Sequence, residues 1–179
     1  MGIFEMGSNT TLNAPIPLMR NSKFLFYNQS QLQTKIQRYD VIDLFRTSIE
    51  EVFSQNFGLE TKPCETFPKK EGYTASIPFS DGTTDFEAEV WIDEPALKEM
   101  ANILLFEENP DPETLEDLTS EVANFIVGHA KMVASDRNLP YRMETPVFTG
   151  RRSLEKRGET LLYSVDDRCI AIQLKERNG

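Results

Sequence analysis

The stretch from Leu118 to Lys131 holds the residues best suited to chemistry. On a helix turning about 100° per residue, Glu121, Asn124, Gly128 and Lys131 fall in one row. The i to i+3 spacing sets Glu121 and Asn124 side by side. A carboxylate can pair with a cation. A carboxamide can accept a hydrogen bond and donate one, with no proton to lose. Gly128 continues the row one turn later, and a glycine inside a helix costs up to about 1 kcal/mol relative to alanine. Close approach by another backbone or by a partner is one reason to accept that cost. The spacing alone leaves two readings open: a row that meets a partner, or a solvated helix face with Gly128 packed on a strand. The same projection gathers Leu115, Leu118, Val122, Phe125, Ile126, Met132 and Val133 into a stripe expected to face the core. His129 lies at the edge of that stripe and reads as packed or half-buried, with no acid partner evident in the sequence.

Composition removes many alternatives. The 179 residues suit one domain with a short appendage. A net charge of −10 disfavours unaided binding to nucleic acid or to an anionic membrane. With one histidine and two cysteines, a zinc site of four His/Cys ligands cannot be built within one chain, and no metal site is expected. A Ser-His-Asp relay would have only His129 to use. No apolar run is long enough to span a bilayer, and Met1 to Arg20 lacks a basic stretch followed by an apolar block. Cys64 and Cys169 form no CxxC pair and read as small buried hydrophobes, so a cytoplasmic, reduced chain is expected. Arg151, Arg152, Lys156 and Arg157 form a basic cluster in this acidic chain, either a solvated strand connection or a steering element for an acidic partner. The acids Glu107, Glu108, Asp111, Glu113, Glu116 and Asp117 read as a helix start that complements the helix dipole.

The elements that must position the row follow from periodicity. Residues 1–30 read as an irregular tail, or as a docking segment through apolar residues such as Ile16, Leu18 and Phe24, and 31–179 as the domain. Leu32, Ile36, Val41, Leu44, Phe45, Ile49, Val52 and Phe53 predict a helix from about 31 to 57, closed by Gly58. Strands are predicted near 61–68, weakened by Pro63 and Pro68, then at 73–79 and 85–92, with a turn at Ser80-Asp81-Gly82. Pro95 opens a helix to about 106, and a longer one follows over about 113–135. Strands at 142–149, 160–165 and 169–174 end the chain. Gly150 and Gly158 bracket one connection, and Asp166-Asp167 marks a tight turn. Helix then three strands, occurring twice, predicts an α+β fold: a mixed or antiparallel sheet with long helices packed on it, built from a duplicated α-β-β-β unit.

Glu121-Val-Ala-Asn124-Phe-Ile-Val-Gly128 resembles the E-x-x-N helix of the CheC/CheX/FliY family of chemotaxis phosphatases. Its continuation through Ala130 and Lys131 is similar to that family's N-x-x-x-G-x-(A/L)-K. Thr145-Pro146 with Gly150-Arg151 is similar to its T-P-x-x-x-x-G-R segment, with three residues between Pro146 and Gly150 where that pattern has four, and the resemblance runs from about Arg38 to Glu176. Ala123 departs from the glycine common at its position. Neither Glu50 nor Glu51 has an asparagine three residues on, so a single site resembles the CheX type, whose members form homodimers. The resemblance implies an aspartyl-phosphate phosphatase acting on a CheY-like response regulator in two-component signalling. It assigns Asn124 to positioning the attacking water and Glu121 to pairing with the regulator's lysine, with Gly128 and Lys131 meeting the partner closely. The Mg²⁺ would be the regulator's, with no cofactor of this chain's own. The alternative is a non-catalytic binding module like the middle domain of flagellar switch proteins.

Overall fold

The computed structural model describes residues 29–177, with side chains from residue 41 onward. Most of the tail expected over 1–30, with its docking segment, lies outside the described residues, as do the side chains of Leu32 and Ile36. The chain runs α1 (Gln29–Val52), a π-helical turn (Phe53–Phe57), β1 (Lys62–Pro63), β2 (Glu71–Ser80), β3 (Asp85–Asp93), α2 (Glu94–Leu105), α3 (Pro112–Asp136), β4 (Arg142–Met143), β5 (Val147–Ser153), β6 (Glu159–Val165) and β7 (Arg168–Glu176).

Local chemistry sets these boundaries. Gly58 ends the first helix at φ 65°, a left-handed conformation that lets its N–H turn back to the Ser54 carbonyl at 3.2 Å. The β2–β3 turn is tied by Asp81, whose Oδ1 accepts from the Thr83 and Thr84 N–H groups at 2.9 and 2.8 Å. In the β6–β7 turn Asp166 and Asp167 both have positive φ, 46° and 64°, as a two-residue hairpin requires. Asp93 caps α2 and Asp111 caps α3, each accepting a helix N–H at 2.8 Å, with a proline in the first turn of each helix.

All strand pairings are antiparallel, in the order β1-β6-β7-β3-β2-β4, with β5 also pairing with β2. Apart from β4, which has no counterpart in the first half, the arrangement is symmetric under exchange of the chain's halves. Hairpins β2–β3 and β6–β7 meet at the central β3–β7 pair, and each half lends an outer strand to the other, β1 to β6 and β5 to β2. The hairpins also agree in register. The pair Phe79–Phe86 occupies the place of Tyr163–Ile170, and Ile77–Ala88 that of Leu161–Ile172. All eight side chains are buried in one core with those of α1 and α3. The α+β fold with a duplicated α-β-β-β unit is therefore the observed one, with α2 inserted between the copies. The opposite face carries a smaller cluster of Trp91, Leu154, Leu162 and Ala171, against which Cys64, Phe67 and Cys169 pack half-buried.

Three strand expectations need correction. The stretch expected over 61–68 is a strand only at Lys62–Pro63, with one further bond from the Cys64 N–H to the Leu162 carbonyl at 2.9 Å, and the two prolines leave it short of ladder donors. The strand expected over 142–149 is two strands, interrupted at Glu144–Pro146, and the second runs on to Ser153. Gly150 lies inside β5, not in a connection. The pairing with β2 slips beside it, and its φ of 106° accommodates the bulge.

Candidate functional site

Helix α3 positions the site. Its inner side buries Leu115, Leu118, Thr119, Val122, Ala123, Ile126, Val127, Ala130 and Ala134. Ser48 of α1, itself buried, donates to the Ile126 carbonyl at 2.5 Å and fixes the two helices against each other. The buried stripe is rotated from the expected one toward small residues, which let α3 lie close to sheet and helix. Phe125 and Val133 are half-buried, and Met132, expected in the core, is 64% exposed.

The row of Glu121, Asn124, Gly128 and Lys131 stands on the outer side. Glu121 and Lys131 are exposed, and Asn124 and Gly128 are half-buried. Among the described residues Glu121, Asn124 and Lys131 have no hydrogen-bond or ion-pair partner. Charged groups nearby do have partners: Asp43 meets Arg137 at 3.2 Å, and Glu51 lies 3.1 Å from His129 Nε2. A side-chain β-carbon added at Gly128 would meet only Met143 Sδ, at 4.0 Å. Among the described residues, packing therefore does not demand glycine there.

The second motif segment lies alongside. Met143 of β4 borders Gly128, and Thr145 and Pro146 follow in the β4–β5 connection. The arginines beyond do not gather into one patch. Arg151 lies 4.8 Å from the Tyr73 ring centre and pairs with Glu94 at 2.9 Å. Arg152, the next residue on the strand, points to the opposite face and pairs with Glu89. Arg157 binds Glu155 at 2.6 Å, and Lys156 stands exposed between them. Lys98 and Arg151 hold the Glu94 carboxyl below the usual carboxylate range.

Three features escape the periodicity. His129 has an acid neighbour after all, Glu51, brought in from α1, while its Nδ1 is buried without a partner. Asp93 is 1% exposed and joins three elements. One carboxylate oxygen caps α2, and the other takes the Cys169 N–H at 2.9 Å and Lys70 Nζ at 3.1 Å. Met132 is the third. No sequence signal marks the first two pairings, because each joins residues distant in the chain.

The row can bind and orient through an acid and an amide. Of two clefts, one of about 510 Å³ is lined by Lys70, Glu94, Lys98 and Arg151, and one of about 390 Å³ by Phe79, Arg142, Arg177 and Met143, the last of which also borders Gly128. Among the described residues no group of three or more His, Cys, Asp or Glu could hold a metal ion. No helix among them is long and apolar enough to cross a membrane.

No protein-family model matches the sequence, and no curated protein matches it. Solved structures do. The structure is similar to that of the chemotaxis protein CheX from Vibrio vulnificus, with a TM-score of 0.66 and 21% identity over 76% of this chain and 96% of that one. A CheC-like superfamily protein from Shewanella sp. PV-4 gives 0.62 and 23%, over 78% and 98%. A CheX–CheY–BeF3–Mg complex from Borrelia burgdorferi gives 0.57 and 20%, over 77% and 98%. At these identities the likeness establishes the fold: this chain has the fold of CheX and CheC-like chemotaxis proteins.

Proposed function

We propose that this protein is a CheX-like phosphatase that removes phosphate from the aspartyl phosphate of a CheY-like response regulator through the single site Glu121–Asn124. The observation that carries the reading is the unpartnered acid and amide, one turn apart, on the outer side of α3 in a CheX/CheC-like fold. Support for the partner comes from the Borrelia complex, in which a protein of this fold is bound to CheY.

An acyl phosphate is labile, so the catalyst has mainly to position water for in-line attack. In this reading the Asn124 carboxamide accepts from the water and aims its oxygen at phosphorus. The bond between phosphorus and the aspartyl oxygen breaks, inorganic phosphate leaves and the carboxylate is restored. Glu121 pairs with the regulator's lysine, which anchors α3 and draws the lysine from its phosphate contact. Mg²⁺ is held by the regulator as part of the substrate. A row on the outer side of a helix suits this division, because such a row can enter a pocket on another protein.

The test is phosphate release from CheY-type receiver domains of the same genome, phosphorylated with acetyl phosphate. Acceleration by this protein, lost in Asn124→Ala, supports the reading. Binding without acceleration would move it to the regulator-binding module. The homodimer that the resemblance implies belongs to the same proposal, and light scattering would read its mass.

A further inference from the structure

The outer side of α3 holds one more feature that neither motif nor periodicity explains. Met132 projects into solvent, 64% exposed, one turn beyond Gly128 and next to Lys131. Among the described residues only Met143 Sδ, at 4.0 Å, comes near the position of a β-carbon on the half-buried Gly128. By helical spacing Gly128 leaves a notch in this face, with Asn124 one turn before it and Met132 one turn after. A thioether is flexible and polarizable, so it fits itself around an apolar group of varied shape. This methionine is mostly exposed while smaller residues fill the core beneath the helix.

We propose that the Gly128–Met132 notch receives an apolar side chain of the receiver domain, from the surface bordering its phosphorylation pocket, and that Met132 helps choose which receiver is bound. The proposal rests on the regulator reading above, because the notch continues the row that holds Glu121 and Asn124. Asn124 acts on the water and Met132 acts on docking. Their substitutions should therefore show in different constants.

The experiment measures, for receiver domains of the same genome, affinity in the beryllofluoride-activated state and steady-state phosphate release from the acetyl-phosphate-treated form. Met132→Ala is expected to weaken affinity and raise KM by about tenfold, the range of a single interface anchor. The loss should fall in KM and not in kcat, and Met132→Leu should restore most of it. Circular dichroism checks that the exposed substitution leaves the fold unchanged. Wild-type affinity and KM in Met132→Ala would overturn the notch while a dead Asn124→Ala kept the phosphatase reading. A loss in kcat with KM unchanged would also overturn it. If no receiver binds the wild-type protein, the regulator reading fails and the notch with it.

Discussion

In the first half of the chain, α1 buries Leu44, Phe45, Ser48, Ile49 and Val52; in the second, α3 buries Val122, Ala123, Ile126, Val127 and Ala130. The sets correspond position by position when the helices are aligned on Ser48 and Ile126, where they touch. The same alignment sets Asp43, Arg46 and Glu50 where α3 has Glu121, Asn124 and Gly128. All three of those α1 residues are exposed, and Asp43 is already paired with Arg137. The inner rows answer to one sheet and have kept one pattern. The outer rows face away from the core, and there the halves diverge. On α1 a guanidinium stands where α3 has its carboxamide, and the acid is neutralised. The duplicated scaffold offers the same outer row in either half, and among the described residues only the row on α3 presents an acid and an amide without partners.

The sharpest way to break this comparison is to remove the α3 pair. Asn124→Ala and Glu121→Ala should each reduce phosphate release from a phosphorylated receiver by about a hundredfold, the scale of losing one positioned polar group. Thermal melting should stay at the wild-type value, because neither side chain has a partner among the described residues. Unchanged hydrolysis in both variants would remove the functional half of the contrast.

A second break falls at the seam between halves. Asp93 ends β3 of the first unit and holds the Cys169 N–H of the second, while capping α2 and taking Lys70. Asp93→Ala leaves a helix N–H and a strand N–H without partners. The expected cost is about 3 kcal/mol, from a lost cap together with a buried donor left unmade. Denaturant unfolding would read it as a lower midpoint with an unchanged slope. A change below 1 kcal/mol, on this same scale, would mean that water replaces the carboxylate.

Much of this was legible before any coordinates, for identifiable reasons. Alternation in Asp85–Asp93 and the turn residues at Asp81 and Asp166 are local signals, and the hairpins formed where they point. The Glu121–Asn124 row is also local, set by helix geometry alone. What failed depended on contacts between distant residues. Met132 is apolar and sits at helical spacing, but α3 rolls toward Ala123, Ala130 and Ala134 because those small side chains allow closer packing. Glu51 reaches His129 only because Ser48 fixes α1 beside Ile126. The arginines at 151 and 152 are neighbours in sequence, and the strand turns them to opposite faces.

A finer contrast lies within α3. Gly128→Ala should raise stability by about 0.5–1 kcal/mol, since alanine favours the helix and no described residue lies closer than 4.0 Å to the added carbon. The same substitution should weaken binding to the receiver. Opposite signs in melting temperature and affinity would mark the glycine as kept for the partner. A fall in both would return it to a role in packing.

The smallest expected effect is on α1. Asp43→Ala with Arg46→Ala removes the charges that stand where α3 has its acid and amide, and breaks the exposed Asp43–Arg137 pair. Exposed pairs of this kind contribute about 0–1 kcal/mol, so melting should shift little. Hydrolysis should stay within about twofold of wild type, well inside the range of an unimportant surface change. The variant is informative because the inner rows of both helices remain intact, so any large loss of activity could not be put down to the scaffold. A tenfold loss would show that the α1 row takes part in recognition, and the two halves would then share the regulator in place of leaving it to α3 alone.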